Sequence, residues 1–296
     1  MRKSSKGLLC GALLIAAMAN FNGCGFSFGM RSSYTYDHAD KYVAGDIEIS
    51  DDIDTIDIDY CSGDVKFVQA DTDVITIEET AKKDLKDKLK VHTWVDGKTL
   101  HIKFCESGKG LDLNNLGKQL EITVPEEMEY DKLVFDMSSG DVEAECSAKK
   151  IDFDASSGDI NLTQTGNSDE ILADTSSGSI TLDIESTDKF VGNASSGSIY
   201  VNAKSIRNIH ADTSSGSNEF HLEAVPETAK IDASSGSVKV YLPEDADITA
   251  EIDTASGDIS YDLPFEKKGD TYKCGKGTNK VMIDTSSGDV TLNKLY

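Results

Sequence analysis

A Ser-Gly corner preceded four residues earlier by aspartate or asparagine occurs nine times in this chain, at Gly63, Gly140, Gly158, Gly178, Gly197, Gly216, Gly236, Gly257 and Gly288. From Gly140 to Gly257 the spacing is only 18 to 21 residues. A fixed period near 20 residues marks a stacked-repeat architecture, in which one unit cannot bury its own apolar face and leans on copies above and below. Such a pattern also argues against an active site, because chemistry needs unlike residues converging once.

Aligned on the glycine, the positions seven, five and three residues earlier are apolar or small, as in Ile151, Phe153 and Ala155 or Ile171, Ala173 and Thr175. They alternate, so they face one way off a β-strand. Apolar residues resume two and four residues after the glycine, as in Ile160 and Leu162 or Ile180 and Leu182. The step across Ser-Gly is odd, which is what a chain does when it turns a corner and keeps its inner face inside. Glycine supplies a positive-φ or tight conformation there, and serine can hydrogen-bond neighbouring backbone. Each unit reads as strand, corner, strand and polar return, for example 163–170 or 202–208, and a second long side can lie within those returns. The expected fold is all-β: a parallel β-solenoid, β-helix-like, of about 20-residue repeats. An antiparallel sandwich is the alternative, since short strands with turn signals also fit one.

Arg2, Lys3 and Lys6 precede an apolar stretch from Gly7 to Ala19, followed by Asn22-Gly23-Cys24. This is the pattern of a lipoprotein export signal over 1–23, with lipidation at Cys24, although Phe21 and Asn22 depart from the usual lipobox. Cleavage after Ala17-Met18-Ala19, giving a secreted protein, and a retained anchor are the alternatives. All three place the repeats outside the cytoplasm, with lipidation tying them to the membrane. Residues 24–41 read as a tether, 42–296 as a single β-repeat domain, and about 130–296 as its regular part.

The whole chain has a formal charge of −24, from 29 basic and 53 acidic side chains. A body of this charge is repelled by nucleic acid, so no nucleic-acid partner is expected. Cys61, Cys105, Cys146 and Cys274 remain after Cys10 and Cys24, and four cysteines allow three pairings, among which spacing does not choose.

The 77-residue interval from Gly63 to Gly140 contains a hairpin signal at Asp96-Gly97. With those two residues as the turn, Val95 opposes Lys98, and Leu89, Val91 and Thr93 oppose Phe104, Ile102 and Leu100. A strand at Leu120 to Val124 then leads into the array. Between Gly257 and Gly288 the interval stretches to 31, and the insertion 265–279 carries Phe265, Tyr272 and four lysines. It reads as a capping hairpin at the end of the stack, with a partner-contacting loop as the alternative.

An export signal, a first Ser-Gly-Asp strand pair, a hairpin, the strand "LEITVP" and tandem "SSGDI" or "SSGSI" units together resemble the bacterial putative-adhesin family of β-strand repeat proteins of unknown function, over roughly 42–296. The resemblance implies an extracytoplasmic parallel β-repeat body. It brings no catalytic residues.

The candidate site is the ladder four residues before each glycine: Asp136, Asp154, Asp174, Asp212, Asp232, Asp253 and Asp284, with Asp59 and Asn193 in the same column. A second ladder follows the glycine at Asp64, Asp141, Asp159, Asp258 and Asp289, with serines between. Carboxylates about 4.8 Å apart repel by roughly 3.5 kcal/mol at an effective dielectric of 20. Either each caps its own corner by accepting serine and backbone hydrogen bonds, or calcium bridges the rungs. No G-G-x-G-x-D calcium repeat is present. The five histidines are scattered without metal or triad spacing, so no enzyme is expected. The expected function is a non-enzymatic, adhesin-like envelope protein presenting Ser/Asp-rich faces to an unidentified envelope or extracellular partner. The alternatives are a calcium-, cationic-peptide- or glycan-binding module, then a solenoid polysaccharide lyase.

Overall fold

The computed structural model describes residues 33–110 and 116–296. The expected signal segment and the lipidation site at Cys24 lie outside the described residues. Within them the fold is all-β and organised as a parallel β-solenoid. Two columns of stacked strands enclose one apolar core and meet along the row of Ser-Gly corners.

The first column runs Thr55–Tyr60, Tyr130–Met137, Ala148–Ala155, then the second halves of Ile160–Thr175, Ile180–Ala194 and Ile199–Thr213, and then Thr228–Ala233. The second column runs Asp64–Ala70, Val142–Cys146, the first halves of those three long strands, Asn218–Leu222 and Val238–Leu242. Every neighbour within these stretches is parallel, with equivalent repeat positions paired: Ile151 with Ile171, Ile180 with Ile199. The polar returns are the second side of the coil. The strand Ile160–Thr175 passes through its return without a break, with a register shift between Gln164 and Asn167.

The alternation read from the repeat is the burial pattern. Ile151, Phe153 and Ala155 point inward at 0–2% exposure, as do Ile160 and Leu162 across the corner at 0–3%. Phe67, Phe135 and Phe153 stack down the interior, the last two with ring centroids 4.5 Å apart. At the position three before the glycine, only small or hydroxyl side chains fit in the middle of the stack. Thr213 and Thr285 are buried there because each hydroxyl donates to a corner glycine carbonyl, Gly216 O at 2.8 Å and Gly236 O at 3.1 Å.

The corner glycines are required for contact more than for conformation. A β-carbon on Gly197 would lie 1.6 Å from the carbonyl oxygen of Gly178, and one on Gly178 would lie 1.8 Å from Gly158 O. Only Gly63, Gly140 and Gly158 also carry a positive φ at their corners. The expectation of a left-handed corner therefore holds for the first three rungs, and close approach accounts for all nine.

Spatial order departs from chain order at both ends. The last corner, Gly288, packs on Gly236, and Gly257 packs on Gly288. Asn279–Thr285 is accordingly inserted between Thr228–Ala233 and Ile248–Thr254. Successive coils thus do not all lie directly on their predecessors: the final rung is the penultimate layer. The insertion explains the inversion. Its hairpin, Glu266–Lys268 and Thr271–Cys274, runs antiparallel along the outer edge of Ile248–Thr254, and the chain must then return inward. The insertion is the capping hairpin expected. At the other end Thr99–Lys103 and Gln119–Pro125 pair outside the first coil, covered by antiparallel His92–Asp96 and Ile75–Thr80. Short or charged strands therefore close the column ends, which blunts edge-to-edge association.

The hairpin at Asp96-Gly97 exists, but its loop is Gly97-Lys98 and its register is two residues off the expected one. Asp96 pairs with Thr99, Val95 with Leu100 and Thr93 with Ile102. Only Gly97, at φ 62°, takes the left-handed region there, so glycine stands at the first loop position, the type II′ arrangement. A two-residue shift preserves side-chain parity, which is why the apolar match was insensitive to it. None of the three pairings open to the four cysteines forms: Cys61 is disulfide-bonded, while Cys105, Cys146 and Cys274 are free and buried. From Ser33 onward the segment read as a tether is packed, with Ser33–Tyr34 paired to Lys109–Gly110.

Replacing Gly197 with alanine is expected to cost about 3 kcal/mol, because the backbone of the adjacent rung cannot yield like a side chain. Gly269→Ala, at a hairpin tip with open space around it, is expected to cost only about 1 kcal/mol through its positive φ. Urea denaturation of the two variants checks the contrast; equal losses would remove the close-approach account.

Candidate functional site: an acidic column and its covered head

The two aspartate ladders have different fates. In the ladder after the glycine, each side-chain oxygen accepts the backbone N–H of the same position one rung on. Asp141 Oδ1 takes Asp159 N at 2.9 Å, Asp159 Oδ1 takes Ser179 N at 2.8 Å, and Ser198 Oγ takes Ser217 N at 3.1 Å. The series continues through Ser217, Ser237 and Asp289 to Asp258 N, in the inverted spatial order of the last rungs. Asp and Ser alternate freely there because both supply an acceptor. The carboxylates do cap corners, but the corner of the neighbouring rung rather than their own, which corrects that expectation. Parallel stacking aims each N–H at the preceding rung, so an acceptor one layer away has the better geometry.

The ladder before the glycine is not consumed in this way. Asp59, Asp136, Asp154, Asp174, Asn193, Asp212, Asp232, Asp284 and Asp253 are register partners in that order on the outer face of the first column. Asn193 donates to Asp174 and Lys230 to Asp232, and these two bonds relieve the middle of the column. Asp154, Asp212, Asp253 and Asp284 are exposed. Burial and neighbouring carboxylates raise two of them, Asp154 beside Asp152 and Asp284 between Asp232 and Asp253. Burial also raises Asp174, against the opposing Asn193 bond. Toward the C-terminal end the column lines a groove of about 650 Å³ with Glu251, Asp270, the exposed Met282 and one cation, Lys230. Among the described residues no group of three or more His, Cys, Asp or Glu side chains has a geometry that could hold a metal ion.

The head of the column is different again. Asp59 is only 4% exposed, and Lys103, 3.4 Å from its Oδ2, also reaches Asp57 at 3.5 Å. His101 Nδ1 lies 2.9 Å from Asp57 Oδ2. Burial pushes Asp57 up, but the His101 bond and the Lys103 charge outweigh it and hold the carboxyl below its ordinary range. For Asp59 burial wins over Lys103, and its pKa is raised. Asp136, desolvated and next to both Asp59 and Asp154, is pushed up to about 7. Over this cluster lie Tyr34, Tyr36, Tyr42 and Trp94, linked by edge-to-face and tilted contacts with centroids 4.8 to 5.6 Å apart.

Behind it, inside the N-terminal cap, Lys118 and Glu79 form a buried ion pair at 2.6 Å, with side chains 0% and 3% exposed. The ammonium donates to Leu89 O at 2.8 Å and sits 3.9 Å over the Phe104 ring. Glu79 also accepts Tyr60 Oη at 2.8 Å and Val91 N at 2.9 Å. Burial lowers the Lys118 pKa, and Glu79 opposes that shift. The Lys118 carbonyl also occupies, beside Gly63, the place each corner glycine carbonyl takes elsewhere. This pair completes the first layer without a Ser-Gly corner. Sequence reasoning passed over it, as it did His101 and Lys103, because none repeats. Each comes from the irregular excursion between the first two corners.

Two outcomes are expected. Lys118→Met is expected to cost about 3–5 kcal/mol, since it strands the buried Glu79 charge; the double variant Lys118→Met with Glu79→Leu recovers much of the loss in a thermal melt. For Asp136 the folded pKa lies above the unfolded one, so the folded chain binds the extra proton and stability falls as pH rises from about 4 to about 7. Asp136→Asn is therefore expected to stabilise by about 1–2 kcal/mol at pH 8, after allowance for solvent screening, and by little near pH 4. Paired melts across that range measure it, and a gain independent of pH would contradict the assignment.

Residues 53–293 match the family model described as Toastrack DUF4097. Similar solved structures include a putative lipid binding protein from Parabacteroides distasonis ATCC 8503, 20% identical with a TM-score of 0.46, covering 86% of this chain and 97% of that one. A putative adhesin from Bacteroides fragilis NCTC 9343 is 14% identical with a TM-score of 0.43, covering 85% of this chain and 97% of that one. A putative cell adhesion protein from Clostridium sporogenes ATCC 15579 is 12% identical with a TM-score of 0.30, covering 85% and 99%. No curated protein matches the chain. The family match runs from the strand before the first corner to the last strand of the stack, so the chain belongs to the Toastrack DUF4097 family.

Proposed function

We propose that this chain is a non-enzymatic, adhesin-like surface protein that works by presenting a rigid face to a partner outside the cytoplasm. The observation that carries the reading is the contrast between the two ladders. One spends its acceptors on holding rungs together; the other keeps exposed carboxylates in register at an electrostatic cost, with Asp154, Asp212, Asp253 and Asp284 open to solvent. Fixed charge of one sign along a stiff face favours a partner of opposite sign and speeds its encounter. The export pattern ahead of the fold supports the same location, and the acidic balance of the chain disfavours a polyanionic partner.

The partner chemistry that fits best is a cationic peptide segment. The groove beside Met282 joins an apolar contact to surrounding carboxylates, which suits the aliphatic stem and charged head of lysine or arginine. The glycan reading has less behind it. On the outer face of the second column His221 stacks on Tyr241 at 4.3 Å, so part of the aromatic surface a sugar would use is covered. The lyase reading has less behind it still: Arg207, the one arginine among the described residues, is paired to Asp188 and Glu227.

A fluorescein-labelled oligolysine peptide is expected to bind the full chain with an affinity that falls steeply with salt. The variant with Asp212, Asp232, Asp253 and Asp284 all changed to Asn is expected to bind at least about tenfold more weakly, at roughly 1.4 kcal/mol or more. Anisotropy titrations decide it, and affinity untouched by the four substitutions would sink the cationic-face reading. Capture from envelope extracts with the same two proteins then identifies the natural partner.

A further inference from the structure

The two columns are closed unequally at the C-terminal end. Past Ile248–Thr254 the first column gains Thr271–Cys274, paired antiparallel along Ile248–Glu251, and Asp270 O then accepts Ile252 N–H at 3.0 Å. The second column stops at Ile259–Tyr261, which pairs with Val290–Lys294 on one side and, among the described residues, with no strand on the other. Its inward positions show the gap. Val238, Val240, Val290 and Leu292 are 0–1% exposed, whereas Tyr261, the register partner of Leu292, is 40% exposed and Ile259 is half-buried. Tyr261 is propped edge to face on Phe265 and on Tyr272, each at 5.5 Å. The last apolar layer of this column therefore lacks the cover that the rungs beneath it receive. Its backbone is open as well. Asp258 O accepts Val290 N–H at 2.9 Å and Asp262 N–H donates to Leu292 O at 3.3 Å. Main-chain groups of successive residues alternate sides along a strand, so the N–H and C=O of Ile259 and of Tyr261 point away from the stack. The acceptor ladder ends at the same place: Asp289 Oδ1 takes Asp258 N–H at 2.9 Å, and the exposed Asp258 carboxylate has no further rung to serve.

We propose that Ile259–Tyr261 is a docking edge for an extended, basic-flanked segment of a partner protein, which adds to the second column as one more parallel strand. Strand addition of this kind draws affinity from main-chain hydrogen bonds and specificity from alternate side chains.

In parallel register the segment reads basic, apolar, polar, apolar, basic. The apolar side chains cover Ile259 and Tyr261, and a lysine or arginine lies beside each of the exposed acids Asp258 and Asp262. Its first, third and fifth N–H groups face the edge, the first meeting the Asp258 carboxylate as Asp159 N–H meets Asp141 and Ser179 N–H meets Asp159 in the rungs beneath. Its second and fourth N–H groups point to solvent. Charge decides against a second copy in this place, because antiparallel pairing of two such edges sets Asp258 against Asp262 in a chain of formal charge −24. Cations near the edge are engaged elsewhere, Lys294 with Glu244 at 2.7 Å and Lys267 over the Tyr272 ring at 4.9 Å. The edge belongs to the second column and the groove beside Met282 to the first, so the two sites stand or fall apart.

The probe is the acetylated and amidated peptide Lys-Val-Thr-Val-Lys, titrated at millimolar concentration into the isotope-labelled full chain while amide signals and hydrogen exchange are followed. Without peptide, the Ile259 and Tyr261 amides are expected to exchange at least about tenfold faster, corrected for intrinsic rate, than the Ser260 amide between them, which faces Val290–Lys294. Peptide is expected to shift the signals of residues 258–262 and to slow Ile259 and Tyr261. N-methylation of the peptide's threonine is expected to abolish both effects, and N-methylation of its first valine to preserve them. Glutamate in place of both lysines is expected to abolish binding. Ile259→Pro, which deletes a donor on the open side alone, is expected to weaken binding about tenfold or more. The variant with Asp212, Asp232, Asp253 and Asp284 changed to Asn is expected to bind this peptide as the wild type does, which separates the edge from the acidic face. No shift at 258–262, equal behaviour of the two N-methylated peptides, or binding lost with the four Asn substitutions overturns the proposal. So does slow exchange at Ile259 and Tyr261 before peptide is added, as a second copy or residues 1–32 lying on the edge would produce. Should Ile259→Pro fail to fold by circular dichroism, the two N-methylated peptides decide.

Discussion

The carbonyl oxygen of each corner glycine occupies the place where the next glycine's β-carbon would stand. That close approach, 1.6 to 2.2 Å from an added carbon at the repeated corners, lets the backbone of one rung nest on the next. Everything regular in the molecule follows from it. With the corners in contact the strands on both sides fall into parallel register, and register puts like residues in columns: isoleucine on isoleucine inside, aspartate on aspartate outside. A core built this way needs no long-range recognition between unlike segments, since each layer supplies the surface its copy requires.

The same stacking that makes the interior favourable makes the outside contentious. Identical charges held one strand spacing apart repel, and the two outer columns answer differently. After the corner, the N–H groups have no partner on their own rung, and an aspartate or serine oxygen from the layer below meets each of them. Before the corner, the backbone is already paired along the ladder, so those carboxylates find little within the protein. Asn193 and Lys230 interrupt the column, and Asp136, Asp174 and Asp284 are raised by burial first and by neighbouring carboxylates second. Positions that look equivalent in a repeat alignment thus carry structural duty in one case and an unspent charge in the other.

At both ends the repeat stops and unlike residues converge. The N-terminal cap replaces a Ser-Gly corner by a buried Lys118–Glu79 pair under Tyr60 and Phe104. The acidic column there runs into Lys103, His101 and a roof of tyrosines. The C-terminal cap is a lysine-bearing hairpin whose return strand enters the stack as its penultimate layer. Local sequence could place neither arrangement. The apolar alternation of Thr93, Val95, Leu100 and Ile102 is satisfied by two registers of the hairpin. The partners of Lys118, at Glu79, Leu89 and Phe104, lie 14 to 39 residues away in an excursion without period.

From the amino-acid order alone the period, the inward and outward parity on each side of the corner, the composition of the two aspartate ladders and the capping role of the late insertion could be read. Each is a property of one unit repeated, and a unit carries its own evidence. The order of the last two rungs, the choice of acceptor one layer away, the burial of Asp59 and the pairing of Lys118 with Glu79 belong to the assembled molecule. They depend on which edge is open when a segment arrives and on how much water remains beside a charge, and those quantities come into being only when distant stretches of chain are packed together.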